Sequence, residues 1–298
     1  MKDEQMGKER IGLIGLGLMG HGIAMNITEK GWGLSYLNHP GNQPSADLDA
    51  KGATGADDIK ALAAASDVIL ICVTGTPEVE DVLTGQGALL EALRPGMVVI
   101  DCSTAIPEST LRLAAMVAAK GADFIDAAMT RTPKEAREGR LNLLIGGAPE
   151  TVARVTPLLE AFSENRFHAG PVSAGHRLKL LHNFVSLGAV SLLAEAAACA
   201  RAAGIDDAVL VDCLGRGGGY GAGLDRMAPF LLEGRTDQLR FTLSNGLKDL
   251  SYYNAMAGEL GAPHLIAGAV RRIMADLVAA GHGGEMLPRQ VELMAGKA

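Results

Sequence analysis

The sequence predicts an α/β chain in which a doubly wound parallel sheet is followed by a second, all-α domain. Three observations carry this prediction. Short apolar runs alternate with helix-like segments through the first half, residues 10–31 read as strand, glycine-rich turn and helix in succession, and beyond about residue 173 no convincing alternating strand appears. Repeated strand, helix, strand order implies a parallel sheet with helices on both faces. Such crossovers are right-handed almost without exception, so the sheet is expected to be doubly wound.

The first strand is Ile11-Gly12-Leu13-Ile14, an apolar run of the kind a buried parallel strand makes. Gly15-x-Gly17-x-x-Gly20 follows, and Ile23, Met25 and Ile27 are apolar positions on an otherwise mixed helix. Gly15 suits a tight turn, Gly17 lets the backbone approach a pyrophosphate, and Gly20 lets the helix lie close to the strand. With Leu16, Leu18 and Met19 between them, these glycines form the expected cofactor-phosphate loop, the phosphate charge facing a helix N-terminus. In a chain with 38 glycines one such motif is weak evidence by itself, and its place between strand and helix is what strengthens it.

Further strands are expected at Leu34-Ser35-Tyr36-Leu37, at residues 68–73, at Met97-Val98-Val99-Ile100, at Phe124-Ile125-Asp126 and at residues 141–145. Helices are expected at 59–65, from Pro77 and at 107–120. After residue 170 a helix of residues 173–203, closed by Gly204, would run for roughly 45 Å at 1.5 Å per residue. Helices at 206–214, 227–232, 244–260, 263–280 and 285–294 follow, with the glycine cluster 217–223 as a loop between two of them. Residues 1–170 are thus expected to form a dinucleotide-binding domain, and 171–298 an all-α domain for substrate and oligomerisation.

Composition narrows the function classes. At 298 residues with 48% hydrophobic and 20% charged, the chain suits a globular protein of two domains. A net charge of −7 leaves no electrostatic footprint for nucleic acid. No run is expected to reach the roughly 20 apolar residues of a membrane span. Residues 1–9 lack the apolar stretch of a signal peptide and read as a frayed tail, so the expected location is cytoplasmic. Cys72, Cys102, Cys199 and Cys213 show no paired spacing; they are expected to be reduced, buried thiols, with neither a disulfide framework nor a metal site.

Four motifs stand in register along the chain: the glycine stretch from Ile11, then Asp101-x-Ser103-Thr104, then Gly175-x-x-x-Lys179-x-x-x-Asn183, then Phe241 with Lys248-Asp249-Leu250 seven residues on. In order and spacing they resemble the β-hydroxyacid dehydrogenases, a family that includes 3-hydroxyisobutyrate dehydrogenase and tartronate semialdehyde reductase. The resemblance covers about residues 11–294. It implies a Rossmann domain binding NAD or NADP, and hydride transfer between the nicotinamide and a small anionic β-hydroxy acid or its semialdehyde.

Hydride chemistry on an alcohol needs a general acid/base beside the nicotinamide. The resemblance gives that role to Lys179. A free lysine titrates near about 10.4, and burial beside an oxidised nicotinamide cation would favour the neutral form. Asn183, at i+4, would reach the same substrate or orient the lysine. His182 stands where the family usually has asparagine and could line the site; alternatively it satisfies a local hydrogen bond. By the same resemblance Thr104 contacts the cofactor, Val73 and Thr74 pass beneath the adenosine ribose and phosphates, and Lys248 reaches the cofactor from the second domain. Thr104 would equally suit the start of a helix, and Lys248 a surface ion pair with Asp249.

Cofactor choice is read at the end of the second strand. Residues 32–46 hold no Asp or Glu for the ribose hydroxyls of NAD, and Asn38-His39-Pro40 falls where NADP-preferring relatives tend to have Asn-Arg-Thr or Asn-Arg-Ser. Both cofactors are expected to work, with a modest lean to NADP. The chain departs from the family at residues 126–132: Thr130, Arg131 and Thr132 stand where relatives usually carry Ser-Gly-Gly, and Ala128 replaces a proline. Together with Ser103 these residues are the expected substrate contacts. A similar arginine-threonine pair marks the sulfolactaldehyde reductase branch, so a reductase of a short sulfonated or phosphorylated aldehyde is the alternative. Arg131 is then the expected anion anchor; otherwise it is a surface arginine paired with Glu135 or Glu138. Lys179 argues against the imine reductases, which usually lack it, and against a catalytically silent dinucleotide sensor or assembly module. The apolar helical domain suits a homodimer or homotetramer.

Overall fold

The computed structural model describes residues 8–296. The chain divides into two compact units between Lys179 and Leu180. The first holds eight strands: β1 (Ile11–Ile14), β2 (Leu34–Leu37), β3 (Thr54–Ala56), β4 (Val68–Ile71), β5 (Val98–Asp101), β6 (Asp123–Thr130), β7 (Leu141–Gly146) and β8 (Ser163–Gly170). Its helices are α1 (Leu18–Glu29), α2 (Ala46–Asp49), α3 (Ile59–Ala64), α4 (Thr76–Thr84), α5 (Leu89–Ala92), α6 (Pro107–Ala118), α7 (Pro133–Arg137), α8 (Pro149–Leu159) and the start of α9 (Ala174–Ala202). The strands form one sheet in the order β3-β2-β1-β4-β5-β6-β7-β8.

β1, β4 and β5 are buried at every position, because helices cover both faces. Side chains alternate between the layers: Val68 and Leu70 enter one core with Leu13, Ile23 and Ile27, while Ile69 and Ile71 enter the other with Leu62, Leu83 and Leu113. The strand order reverses between β1 and β4, which flank one another's loops at the carboxyl edge where doubly wound folds bind ligands.

The expected all-parallel sheet needs one correction. β6 and β7 are antiparallel, because the chain turns back through Arg131 (φ 82°) and the single turn α7 instead of crossing over. β3 and β8 also lie outside the expected set. β8, Ser-Glu-Asn-Arg-Phe-His-Ala-Gly, is polar and sits half-exposed at the sheet edge, so neither core imposes an apolar pattern on it. Of the stretch expected to fray, Lys8 and Glu9 are tied down: Lys8 Nζ donates to the Lys30 carbonyl at 2.6 Å, and Glu9 accepts from Arg154 at 2.6 Å. Residues 1–7 lie outside the described part.

The second unit contains the rest of α9, then α10 (Asp207–Gly215), α11 (Ala222–Glu233), α12 (Leu243–Glu259), α13 (Leu265–Leu277) and α14 (Gln290–Ala295). A π turn, Val278–His282, and a 3-10 turn, Leu287–Arg289, separate the last two. α11 starts five residues earlier than the sequence suggests. Gly223 is taken into the helix where a Cβ would stand only 3.2 Å from that of Ala189 on α9, a close approach only a small residue permits. By length and composition α9 meets the requirement for a membrane span, contrary to expectation. Its Leu187, Val190, Ala194 and Ala197 pack into the core of the second unit, and Ser191 bonds the buried Gln290 at 3.0 Å, which is the pattern of a core helix.

The thiols also need correction. Cys102 is buried and Cys72 half-buried, but Cys199 and Cys213 are exposed on the outer faces of α9 and α10.

α1 packs tightly on α7. Asn26, buried on α1, donates to the carbonyls of Ala136 (2.9 Å) and Arg137 (3.1 Å) and so caps the end of that short helix. Gly22 faces the same backbone, and a Cβ there would stand 2.7 Å from the Ala136 carbonyl carbon. Gly22→Ala is therefore expected to destabilise the fold by about 1 to 3 kcal/mol through overpacking. A urea midpoint equal to that of the wild type would show that α7 yields freely.

Candidate active site

The glycine loop has the shape a dinucleotide requires. Gly15 is left-handed at φ 99°, and a Cβ there would collide with the Cys72 carbonyl oxygen; a Cβ on Gly20 would overlap the Gly15 carbonyl. Gly17 opposes nothing within 4 Å, and as N-cap of α1 it offers no side-chain hydrogen bond. The first amides of α1 are thus left for an anion, with open space in front of them. The residues present fit a dinucleotide pyrophosphate. Leu16 is buried, and its carbonyl accepts from Gln43 N at 2.7 Å, which folds residues 38–45 over the loop.

Those residues line a cleft of about 450 Å³: Tyr36, Asn38, His39, Pro40, Asn42, Gln43, Pro44 and Ser45. No carboxylate lines it. Asn38 donates to Asp57 at 3.1 Å, and His39 Nδ1 accepts from Gly41 N at 3.0 Å. At the neighbouring strand ends, Ser103 Oγ accepts from Val73 N (3.1 Å) and Ser103 N donates to buried Asp101 (2.9 Å), fixing the β4 and β5 loops to each other. Thr74 is exposed and Thr104 half-buried beside them. Burial, then the Asp101 charge, pushes the Cys72 thiol up to about 12, and burial raises Cys102 as well; both are unreactive.

The start of α9 is built from β6. Asp126, fully buried, accepts from Ser173 N and His176 N, both at 2.7 Å, and so caps the helix from another element. Burial raises its carboxyl above the ordinary range, against the pull of His176 and the two amides. Gly175 is required here, since its Cβ would strike the Leu144 carbonyl. One turn along, Lys179 Nζ donates to the Met129 carbonyl near the end of β6, at 2.6 Å. The glycine loop, residues 73–74, residues 103–104, Met129 and Lys179 accordingly gather on one edge of one sheet.

In the second unit, Asn183 is buried and donates to Asp249 Oδ2 at 2.6 Å, while Asp249 Oδ1 lies 2.9 Å from Lys248 Nζ. Asp249 is 3% exposed, so this is not the surface ion pair that the sequence allowed. His182 Nδ1 lies 3.0 Å from Asn183 Oδ1, a local hydrogen bond. Asp249 and His176 escaped sequence reasoning as parts of these networks. Their only signal was a place inside the lysine motifs.

The loop that departs from the family has internal partners for every polar side chain. Thr130 accepts from Asn142 at 3.0 Å. Thr132 caps α7 in a reciprocal box with Glu135, whose carboxylate takes its amide (3.0 Å) and hydroxyl (2.6 Å). Arg131 bonds the Glu164 carboxylate and the Arg140 carbonyl, not Glu135 or Glu138.

Comparison with known proteins agrees with this anatomy. The family described as the NAD binding domain of 6-phosphogluconate dehydrogenase matches residues 10–170, and that described as NAD-binding of NADP-dependent 3-hydroxyisobutyrate dehydrogenase matches residues 173–292. The chain is 32% identical to 3-sulfolactaldehyde reductase of Escherichia coli (strain K12), over 96% of this chain and 97% of that one. It is 32% identical to a 3-hydroxyisobutyrate dehydrogenase of Pseudomonas aeruginosa over 74% of each chain. A crystal structure of 3-hydroxyisobutyrate dehydrogenase from Salmonella typhimurium shares the fold, with a TM-score of 0.83 at 24% identity over 95% of this chain and 99% of that one. Because the two halves match in the expected order, and identity to one relative continues along almost its whole length, the chain belongs to the β-hydroxyacid dehydrogenase family.

Proposed function

We propose that the protein is an NAD(P)-dependent oxidoreductase that interconverts a small anionic β-hydroxy acid, or a related hydroxy compound, with its aldehyde or ketone. The observation that carries this reading is Lys179, held by the Met129 carbonyl at the sheet edge that also bears the glycine loop. When bound, the nicotinamide supplies the hydride acceptor or donor. The amides of the Gly15 to Gly20 loop hold the pyrophosphate, Asn38 and His39 border the adenosine ribose, and residues 73–74 and Thr104 complete the first unit's cofactor contacts. Lys179 takes the substrate hydroxyl proton in oxidation and returns it to the developing alkoxide in reduction. Asn183, oriented by Asp249, binds the same oxygen region. Ser103 and residues 130–132 bind the acid end.

Reduction of a short sulfonated or phosphorylated aldehyde is the second reading, favoured by the near full-length similarity to a 3-sulfolactaldehyde reductase and by Arg131. Lys179 and Asn183 support an enzyme over a silent dinucleotide-binding module. Free cysteines throughout the described chain suit a reducing, cytoplasmic setting. Leu181, Val185 and Leu192 lie at i, i+4 and i+11 on α9 and are all exposed, a stripe that a second copy would cover in a homodimer or homotetramer. Cofactor oxidation or reduction across a panel of small hydroxy acids, sulfonates and aldehydes tests the reading, and a flat response throughout would overturn it.

Three narrower predictions follow from the same geometry. Lys179→Ala should lower kcat by about 10² to 10⁴ with cofactor affinity nearly intact; a variant keeping more than a tenth of wild-type kcat would remove Lys179 from the acid/base role. The carboxylate-free cleft should accept NADP and NAD alike, with kcat/KM modestly higher for NADP, and His39→Ala should reduce that margin. A strong kinetic preference for NAD would reverse the assignment. Finally, an anion that binds Arg131 competes with Glu164. Arg131→Ala should raise KM for the anionic substrate by the factor that roughly 1.5 to 3 kcal/mol implies, and Glu164→Gln should lower it. If neither variant moves KM, the anion is held elsewhere.

A further inference from the structure

His176 is fully buried, three residues before Lys179, and none of the roles above uses it. Its contacts join four elements of the first unit. The main-chain amide donates to Asp126 on β6 at 2.7 Å, ring Nδ1 lies 2.7 Å from Thr110 Oγ1 on α6, and ring Nε2 lies 3.8 Å from Asp101 Oδ2 on β5. Asp101 holds Ser103 through its other oxygen, and Ser103 holds Val73; His176 Nε2 and Asp101 Oδ2 face each other at ion-pair range without a hydrogen bond, and it is at this pair that the first turn of α9 meets the loops assigned to the cofactor.

An apolar side chain would fill this space without polar cost, whereas the buried imidazole is fixed by the Nδ1 hydrogen bond with Thr110 and by Nε2 facing Asp101 at ion-pair range. The ring therefore brings direction as well as bulk. It fixes the rotation of the first turn about the helix axis, and residues three apart share a helix face. Lys179 is thereby carried to the Met129 carbonyl at the strand end.

We propose that His176 is a positioning residue, setting the rotation and depth of the first turn of α9 so that Lys179 Nζ meets the substrate hydroxyl. The inference rests on the reading of Lys179 as the acid/base. A double-mutant cycle on the full chain tests it, using the best substrate of the panel described above, with NADPH affinity followed by nicotinamide fluorescence. His176→Leu should lower kcat at least tenfold while NADPH affinity stays within threefold, and His176→Asn, which keeps a polar partner for Thr110, should recover much of the loss. In a Lys179→Ala background, His176→Leu should change kcat less than twofold, because there is no longer an amine to misplace. A kcat within threefold of wild type for His176→Leu, or an equal loss in both backgrounds, would overturn the proposal. Should His176→Leu not bind NADPH at all, the same cycle run with His176→Asn decides: a loss confined to the Lys179 background supports it, and an additive loss overturns it. If Lys179→Ala itself retains more than a tenth of kcat, the acid/base reading fails and takes this inference with it; if Lys179→Ala is crippled and the cycle is additive, only the positioning role falls.

Discussion

The structure turns on one buried carboxylate. Asp126 stands on β6 where the strand leaves the register of its parallel neighbour β5, and both its oxygens accept amides from the opening turn of α9. An uncapped helix end inside a protein would leave donors without partners. Meeting that demand from the sheet rather than from the helix's own N-cap residue ties the longest helix in the described chain to the strand that ends at the turn of residues 130–132. Gly146 and Gly175 follow from it: a Cβ on Gly146 would stand 2.5 Å, and one on Gly175 2.8 Å, from an Asp126 carboxylate oxygen. So does the left-handed Ser173, at φ 77°, which swings the chain from β8 into the helix.

What could be read from the sequence is what burial on both faces enforces. β1 and β4 are continuous apolar runs, and β5 is one up to Asp101, because helices cover both their faces, and α9 ends where Gly204, at φ 73°, cannot continue it. β3 and β8 lie at the two sheet edges, where half the residues meet solvent and pattern fades. α7 is held by the Thr132 box and by Asn26 from a distant helix, so its stability has no local apolar signature. The early start of α11 hides in a glycine cluster for the same reason. Gly223 is helical because of Ala189, about thirty residues away, and not because of its neighbours.

The site divides along the same line. Motif spacing singles out Lys179, Asn183 and Lys248, because each stands at a fixed place along a single helix. The buried carboxylates around them are set by tertiary contact: Asp126 takes the amides that open the helix of Lys179, Asp249 takes Asn183, and neither declares from sequence that it is a buried acceptor. Glu164 is the extreme case. It lies on a strand that was not foreseen, so the partner of Arg131 could not be foreseen either.

Arg131 shows how a turn can carry a charged side chain in a conformation that favours glycine. The residue stands where relatives usually have glycine, and its backbone keeps the left-handed conformation that glycine adopts without cost, φ 82°. A non-glycine residue in that region costs of order 1 to 3 kcal/mol and persists only where its surroundings hold it. Here the surroundings are identifiable: the antiparallel pairing of Thr130 with Asn142 before it, the α7 capping box after it, and the guanidinium bonds to Glu164 and the Arg140 carbonyl. The turn is therefore fixed by its flanks, and the side chain is an addition to a shape that does not depend on it. On the proposed reading, in which this turn holds the acid end of the substrate, the added cation changes which anion the turn favours without requiring it to refold, and because Glu164 already occupies the guanidinium, the strength of that change depends on how far an incoming anion outcompetes one carboxylate.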